Sequence, residues 1–155
     1  MPSETVATNR RARHDYHIED TLEAGIELTG PEVKSVRARR VSLGEAYAQV
    51  QDGQVLLQNM HIARYDAGGA HVPQNPTRPR RLLLHRDEIR RLERAVREKG
   101  VTLVPLRMYF SERGYAKIEL GLCRGKRQYE KREVIKARDE QRRTEQAISE
   151  RQRRR

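Results

Sequence analysis

Polar and apolar residues alternate over several short stretches of this chain, which is the spacing of β-strands with one buried face. Two such runs flank Asp52-Gly53, which predicts a two-residue hairpin because both turn positions need positive φ. Two longer runs are joined by residues 111–114, a second predicted hairpin. Pro105 lies inside the first of these longer runs and predicts an edge position or a bulge there. The strand-like runs are 15–18, 22–28, 46–51, 54–58, 101–110 and 115–123.

A first helix is predicted to begin at Gly30-Pro31, because proline suits the first helical position. Val33 and Val36 are expected to face the core from it. Further along, His61-Ile62 ends the strands around the first hairpin. Residues 64–81 contain two adjacent glycines and three prolines and read as one long loop. A loop of that length in a compact domain is usually functional or disordered.

The second predicted helix covers residues 85–99. Ile89, Leu92 and Val96 repeat at helical spacing and are expected to form its buried face. Gly100 provides the stop, since glycine readily takes the left-handed conformation that ends helices.

About six antiparallel strands with two helices and no alternation of strand and helix indicate a mainly β protein with a small closed sheet. Closing the sheet removes exposed strand edges. Among small barrels, the oligonucleotide-binding (OB) type suits a basic protein that binds nucleic acid. The predicted organisation is a basic N-terminal arm at 1–13, an OB-like antiparallel β-barrel with flanking helices at 14–124, and a basic C-terminal tail at 125–155.

Charge is unevenly distributed along the chain. The net charge is +11, and from Arg124 onward there are 13 Lys or Arg against 6 Asp or Glu. The tail has no Gly or Pro after Gly125 and no continuous apolar stripe, so a helix there would be unstable alone. Composition leaves two alternatives equally open: a segment that is disordered when free and orders on a polyanion, or a solvated tail that only improves solubility.

The nearly balanced body with a strongly basic extension favours a nucleic-acid partner. A membrane surface is disfavoured because the tail lacks the large apolar side chains that interfacial helices insert. The single cysteine, Cys123, allows no intrachain disulfide, and residues 1–13 contain no apolar signal core. We therefore expect a cytoplasmic location.

Catalytic and metal-binding signatures are missing from the sequence. There is no glycine-rich phosphate loop and no cysteine pair for zinc. The five histidines do not repeat at metal-ligand spacing, and Cys123 ends an apolar run, as a buried small residue would. Glu23, Glu27 and Glu32 could act as acid and base, but nothing marks a substrate pocket near them. The sequence predicts neither an enzyme nor a cofactor.

Several longer motifs occur in the order seen in one bacterial family. They are NRRARHDY at 9–16, EAGI at 23–26, EVKSVR at 32–37, PTRPRRLLL at 76–84 and GLCRGKRQYEKRE at 121–133. On these motifs the chain resembles the SsrA-binding proteins (small protein B), from about Asn9 to the C-terminus. One departure is Glu130-Lys131-Arg132, where the family usually has Asp-Lys-Arg, so the carboxylate lies one methylene further out.

The resemblance implies an OB-type barrel that binds the tRNA-like domain of transfer-messenger RNA near its elbow. It implies delivery of that alanyl-charged RNA, with elongation factor Tu, to the empty A site of a stalled ribosome. This is the ribosome rescue and protein tagging called trans-translation. The tail would become helical in the decoding centre and the vacant messenger channel. Residues 131–155 as a helix would span about 40 Å.

Residue types and the resemblance together nominate sites on the body. In the arm, Asn9, Arg10, Arg11 and His14 suit phosphates and an unstacked base. The resemblance assigns Glu23 and Leu83 to the face that meets the tRNA-like domain. Phosphate contacts are also expected from Lys34, Arg78, Arg80 and Arg81. The alternatives without an RNA contact are that Leu83 is a core residue and that the basic residues are only exposed to solvent. The nominated transfer-messenger RNA contacts are Asn9, Arg10, Arg11, His14, Glu23, Lys34, Arg78, Arg80, Arg81 and Leu83.

In the tail, the resemblance implies that Tyr129 stacks on a base of the decoding centre, a contact worth about 1–3 kcal/mol. Its alternative is a packing contact that pins the tail to the barrel. Lys131 and Arg132 would bind ribosomal RNA phosphates. The nominated decoding-centre contacts are Lys126, Arg127, Tyr129, Glu130, Lys131, Arg132 and Lys136.

Two rival functions remain open from sequence. One is a generic basic barrel protein that binds ribosomal RNA as an assembly or structural component, which composition does not exclude. The other is an RNA-processing enzyme, although the sequence contains no catalytic motif that supports it.

Overall fold

The computed structural model describes residues 4–65, 74–125, 142–144 and 146. The chain divides into two compact units, Met1–Arg124 and Gly125–Arg155. In the second, residues 142–144 and 146 are helical. The elements described before the tail are β1 (Glu4–Thr8), α1 (Arg10–Asp15), β2 (Tyr16–Ile26), α2 (Gly30–Arg37), β3 (Val41–Ser42), β4 (Tyr47–Gln51), β5 (Gln54–Gln58), β6 (His61–Ile62), β7 (Arg80–Leu83), α3 (Arg86–Lys99), β8 (Thr102–Phe110) and β9 (Ala116–Gly125).

Seven strands form one sheet in the order β1-β8-β4-β5-β7-β2-β9, and β8 also pairs with β9. This additional pairing closes the sheet on itself and leaves β1 as an extra strand on the outer edge of β8. The short strands β3 and β6 make a separate antiparallel pair. The predicted class, a mainly antiparallel β structure with flanking helices, is confirmed.

Both predicted hairpins are present. In the β4–β5 hairpin, Asp52 has a φ of 50° and Gly53 a φ of 74°, the positive values that a two-residue turn of this kind requires. Strands β8 and β9 pair along nearly their whole length. The register of β8 shifts between Pro105 and Arg107, which is the bulge that the proline predicted, since it cannot donate to the ladder.

Helix α2 begins where the sequence predicted, and its start is fixed by a capping box. The Thr29 hydroxyl accepts from the Glu32 backbone N–H, and the Glu32 carboxylate accepts from the Thr29 N–H. This reciprocal pair satisfies two donors that the first turn would otherwise leave free. Val36 is buried as expected, whereas Val33 is only half-buried.

Helix α3 ends at Gly100, whose φ of 64° is the left-handed stop that was predicted. The prediction of its buried face was partly wrong. Leu92 and Ala95 are buried, while Val96 is 40% exposed. Ile89 is partly buried and packs against the main core, so the buried side of α3 runs through Ile89, Leu92 and Ala95.

The N-terminal residues do not form the separate arm that was predicted. β1 pairs antiparallel with β8, with Glu4 opposite Phe110, so the body begins at least ten residues earlier than expected. α1 follows directly and buries Ala12 in a small cluster with Val104, Leu106 and Cys123.

Two further boundaries differ from prediction. β6 leaves the hairpin sheet and pairs with β3. The long loop ends at residue 79, because Arg80 already belongs to β7. Residues 66–73 of that loop lie outside the described residues.

The main core is a cluster of aliphatic residues inside the closed sheet, with Leu57, Leu103, Met108, Ile118 and Leu120 almost fully buried. Among the described residues, no helix is long and apolar enough to cross a membrane.

Candidate nucleic-acid interface

A groove of about 510 Å³ runs between the closed sheet and the start of α3. Leu83 lies in it and is 50% exposed, whereas its neighbour Leu82 is 2% exposed. Successive residues of a strand point to opposite faces, so Leu82 fills the core and Leu83 faces outward. The core alternative for Leu83 is therefore wrong. The groove is lined by Glu23, Gly25, Leu83, Leu84, His85, Glu88 and Lys117.

Gly25 of β2 lies directly opposite Leu83 of β7 in the antiparallel register. A Cβ added at Gly25 would be 3.1 Å from the Leu83 Cβ, which is closer than most real contacts. The glycine thus leaves room for the leucine to lie flat across the strand pair. An exposed apolar side chain held in this way can pack against a nucleobase or a sugar.

Glu23 also lines this groove, and two neighbouring side chains contact its carboxylate. The Tyr109 hydroxyl donates a hydrogen bond to it, and Lys117 Nζ is 3.9 Å from Glu23 Oε1. Burial, together with the hydrogen bond to Glu23, raises the pKa of Tyr109. The phenol therefore remains protonated and fixes Oε2 of Glu23. Oε1, which faces the Lys117 ammonium, can still accept a hydrogen bond from an RNA hydroxyl or base N–H.

Arg107 supports this arrangement from β8, the strand that also carries Tyr109. Its guanidinium lies 4.3 Å from the centre of the Tyr109 ring, and its Nε is 3.1 Å from Glu119. A cation stacked on the ring face and held by a carboxylate fixes the ring orientation. The tyrosine that anchors Glu23 is thus itself anchored.

Lys117 was not among the nominated contacts. It is half-buried on β9, where it alternates with the buried residues Ile118 and Leu120. That alternation was visible in the sequence and marks the outward face of the strand, but only the sheet order brings Lys117 beside Glu23. Its ammonium is the cation of the groove and suits a phosphate oxygen.

Arg81 shares the exposed face of β7 with Leu83, since residues two apart on a strand point the same way. Its side chain is exposed, while its backbone carbonyl accepts from the Glu27 N–H at 3.0 Å. Glu23, Leu83 and Arg81 are therefore the nominated residues that the fold brings to one surface.

Arg80 was nominated as a phosphate contact, and this was wrong. It is 0% exposed. Its guanidinium donates to Glu32 at 2.5 Å, to the Met60 carbonyl at 2.6 Å and to the Pro76 carbonyl at 2.9 Å. With all its donors directed inward, it cannot reach an RNA backbone.

Glu32 is the centre of this buried network. Besides Arg80, it pairs with Arg78, whose side chain remains one-third exposed. Burial alone would raise the pKa of Glu32, but hydrogen bonds from Arg78, the Thr29 backbone and Arg80 hold it below its ordinary value. Arg78 is thus held by the carboxylate and only its outer edge is available to a phosphate.

Lys34 remains exposed on α2 and lies 5.3 Å from the centre of the Tyr65 ring. The Tyr65 backbone exchanges two hydrogen bonds with the Gln74 side chain. Lys34 and Arg78 therefore flank the base of the long loop, apart from the Glu23 groove in the fold.

Asn9 was nominated as an RNA contact, and this too was wrong. It is 3% exposed. Its amide donates to the Leu43 and Pro105 carbonyls at 3.2 and 2.9 Å, and its oxygen accepts from the Ala12 N–H at 3.1 Å. Asn9 caps α1 and ties it to β8.

The other residues of α1 are exposed. Arg11 lies 2.5 Å from Glu45 and 3.7 Å from Asp15, and His14 accompanies Asp15 at 3.0 Å. Arg10 is also exposed. These three side chains are available on the surface, although Arg11 is partly neutralised.

No cluster of three or more metal-ligating side chains occurs in the part of the chain that the structure describes. Cys123 is fully buried, and burial, with a contribution from the charge of Glu19, raises the pKa of its thiol to about 11. The nominated tail residues, Lys126, Arg127, Tyr129, Glu130, Lys131, Arg132 and Lys136, lie outside the described residues.

Comparison with known proteins assigns the family. The model of the SmpB protein family matches residues 6–150. The chain belongs to the SmpB family. The resemblance drawn from the sequence motifs is thereby confirmed.

Individual relatives agree along nearly the whole chain. The SsrA-binding protein of Moorella thermoacetica is 57% identical over 95% of this chain and 94% of its own length. That of Thermobifida fusca is 55% identical over 93% of this chain and 89% of its own length. A solved structure described as tmRNA-SmpB at the center of the bacterial ribosome is 52% identical, with a TM-score of 0.65, over 81% of this chain and 85% of that one.

Proposed function

We propose that this chain binds the tRNA-like domain of transfer-messenger RNA and delivers it, with elongation factor Tu, to stalled ribosomes for trans-translation. The observation that carries the proposal is membership of the SmpB family across residues 6–150. The exposed Leu83 in a groove shared with Glu23 and Lys117 supports the proposal. An apolar side chain flanked by an acceptor and a cation suits an RNA sugar, base edge and phosphate at once.

In this proposal the groove supplies recognition and the remaining cations supply positioning. Glu23, Leu83 and Lys117 contact the tRNA-like domain, and Arg81 extends the same face. The exposed cations Arg10, Arg11 and Lys34, with the outer edge of Arg78 and the imidazole of His14, contact phosphates. Phosphate contacts fix the register of the RNA without reading its sequence.

The tail has a separate task in this proposal. Tyr129 stacks on a base of the decoding centre, Lys126, Arg127, Lys131, Arg132 and Lys136 neutralise ribosomal RNA phosphates, and Glu130 takes the place of the family's usual Asp. The protein acts in the cytoplasm, where the ribosomes are, and by binding alone. Incubation of labelled transfer-messenger RNA with the protein and no ribosomes should therefore leave the RNA intact.

The groove is tested by Leu83→Ala, with Val96→Ala as the matched control because Val96 is also an exposed aliphatic residue. Losing the contact area of the larger side chain should weaken binding of the isolated tRNA-like domain by about tenfold, or 1.4 kcal/mol. Val96→Ala should change the affinity by less than twofold. Equal affinities for the two variants would remove Leu83 from the interface.

The division of labour is tested by a variant that ends at Gly125. It should keep its affinity for the tRNA-like domain and lose tagging on stalled ribosomes. In the full chain, Tyr129→His should retain tagging while Tyr129→Ala loses it, because histidine can still stack. Binding of ribosomal RNA fragments as tight as that of the tRNA-like domain would instead favour the generic ribosomal RNA-binding alternative.

A further inference from the structure

The outer face of α3 carries a line of arginines that the proposed interface does not use. The helix buries Leu92 and Ala95 against the sheet. Residues at intervals of three and four lie on one side of a helix, and the interval pattern places four exposed arginines opposite the buried side. They are Arg86, Arg90, Arg94 and Arg97. Together they extend about 16 Å along the helix.

Most of these arginines have no carboxylate within ion-pair distance among the described residues. Arg97 Nη1 is 3.9 Å from Glu93, a weak exposed pair. Arg91, on the side of the same helix, is by contrast paired with Asp20 of β2. The helix thus neutralises the arginine at its flank, whereas Arg86, Arg90 and Arg94 have no ion-pair partner in the part of the chain that the structure describes.

Helix stability accounts for Arg97, which lies in the last turn, but not for the other three arginines. Arginines four residues apart repel each other on a helix surface, and Arg86 and Arg90 lie near the positive end of the helix dipole. A ligand that brings several negative charges would relieve both effects. Arginine is also the cation best suited to phosphate, because its planar fork donates two hydrogen bonds at once.

The position of the arginine face identifies which polyanion this is. His85 and Glu88, at the start of α3, line the groove that contains Glu23 and Leu83. One to two turns later, Arg91 and Arg94 line a second groove of about 440 Å³ beside β2. The same groove also contains Lys99 and three carboxylates, those of Glu19, Asp20 and Glu98. Both grooves are bordered by α3 and β2, and Arg94 belongs both to the second groove and to the arginine face. A backbone that leaves the first groove can therefore reach the arginine face at Arg94.

We infer that the outer face of α3 is a second contact surface for the phosphate backbone of transfer-messenger RNA, next to the segment bound in the Glu23–Leu83 groove. The inference rests on the proposed function. This surface would increase the affinity for the RNA and the dependence of that affinity on salt. It would not contribute to sequence recognition, since guanidinium–phosphate contacts do not read bases.

The test compares two full-length double variants with the same loss of charge. Arg90→Gln with Arg94→Gln removes the centre of the arginine face, and glutamine is a good helix former. Arg40→Gln with Arg113→Gln removes two exposed arginines from other elements. Affinity for the tRNA-like domain is measured between 50 and 300 mM salt, and thermal melts check that each variant is folded.

The α3 variant should bind about five- to tenfold more weakly near physiological salt. Its slope of log affinity against log salt should fall by between about one and two, the value for two lost phosphate contacts. The control pair should change affinity by less than twofold and leave the slope unaltered. Replacing Arg90 and Arg94 by lysine should keep the slope, because the charges remain.

Equal effects of the two double variants would overturn the inference, since net charge alone would then explain the loss. So would a variant that binds the free RNA normally and fails only with ribosomes, because the face would then contact ribosomal RNA. Failure of the proposed function is distinguishable: the wild-type protein would not prefer the tRNA-like domain over an unrelated RNA of equal length. Hydroxyl-radical footprinting provides a positive readout, because the α3 variant should lose backbone protection beside the groove footprint and keep the rest.

Discussion

The buried network around Glu32 allows a stability prediction from geometry. Glu32 accepts charge-assisted hydrogen bonds from Arg78 and Arg80 and a further bond from the Thr29 backbone. Arg80 is fully buried, and its Nη1 and Nη2 each donate to a backbone carbonyl. Replacing Glu32 by glutamine therefore leaves a buried guanidinium without its counter-charge.

The expected loss is large. Removing one partner of a buried ion pair typically costs about 3–5 kcal/mol, because the other charge remains buried and uncompensated. Glutamine keeps one oxygen that can accept, so Glu32→Gln should lie near the lower end, about 3 kcal/mol. For a domain of this size such a loss lowers Tm by about 10 °C.

The assay is urea and thermal unfolding of the full-length protein followed by circular dichroism. Glu93→Gln is the matched control: it makes the same chemical change at an exposed carboxylate 3.9 Å from Arg97 and should alter the free energy of unfolding by less than about 0.5 kcal/mol. A loss below about 1 kcal/mol for Glu32→Gln would refute the reasoning. Adding Arg80→Met should restore part of the stability, because the uncompensated charge is then gone.

The same network predicts a pH dependence. The pKa of Glu32 is lower in the folded protein than its ordinary value of 4.5, so the folded state binds the proton less readily than the unfolded state. The contribution of ionised Glu32 to the free energy of unfolding is therefore complete above about pH 4.5. It is lost as the pH falls through the pKa of Glu32 in the folded protein. The difference in unfolding free energy between wild type and Glu32→Gln should be constant from pH 7 to 5 and shrink below pH 4.5. A difference that grows on acidification would contradict the assignment.

Two substitutions and one labelling experiment test the packing and burial of individual residues. Gly121→Ala should cost about 1–3 kcal/mol, because the new Cβ would meet Leu106 at 2.9 Å, whereas Gly44→Ala has nothing within 4 Å and should not produce an overpacking loss in the same melts. Asn9→Asp keeps the cap acceptor and loses both amide donors, so it should lower the stability by about 1–3 kcal/mol and leave RNA affinity of the folded protein unchanged; a selective loss of affinity would return Asn9 to the interface. Cys123 is buried and its pKa is raised to about 11, so at pH 8 iodoacetamide should label it far more slowly in the native protein than in urea, as followed by mass spectrometry.

Local sequence chemistry was enough to predict the elements whose ends are set by a few adjacent residues. Asp52-Gly53 and Gly100 adopt the positive φ values that their turn and stop require, and Pro105 produces the bulge that its missing N–H implies. These features depend mainly on backbone conformation within one turn, so a few adjacent residues were enough to predict them. The tail predictions, in contrast, concern residues outside those described.

The N-terminal strand escaped prediction because its partner is distant. Glu4 pairs with Phe110, and the residues around it are too short a run to show alternation by themselves. Asn9 was misassigned for the same reason: the carbonyls of Leu43 and Pro105 that its amide satisfies are far away in the chain. A polar residue beside three basic ones looks like an RNA contact until its buried partners are known.

Arg80 and Arg81 show where residue type alone fails at the interface. They are adjacent and chemically identical, yet one is fully buried and the other exposed, because neighbouring residues of a strand face opposite sides. The same alternation applies to Leu82 and Leu83, but the neighbouring sequence does not determine which of the two leucines is buried. In the fold, Leu82 packs into the main core, and on the same side of the strand the buried Glu32 carboxylate of α2 accepts from the Arg80 guanidinium. Arg81 and Leu83 therefore face outward together. The outward face of β7, and with it the candidate RNA surface, therefore depends on a buried leucine and a buried ion pair on the opposite side of the strand. Variants of Glu32 that remain folded should disturb RNA binding only through this strand.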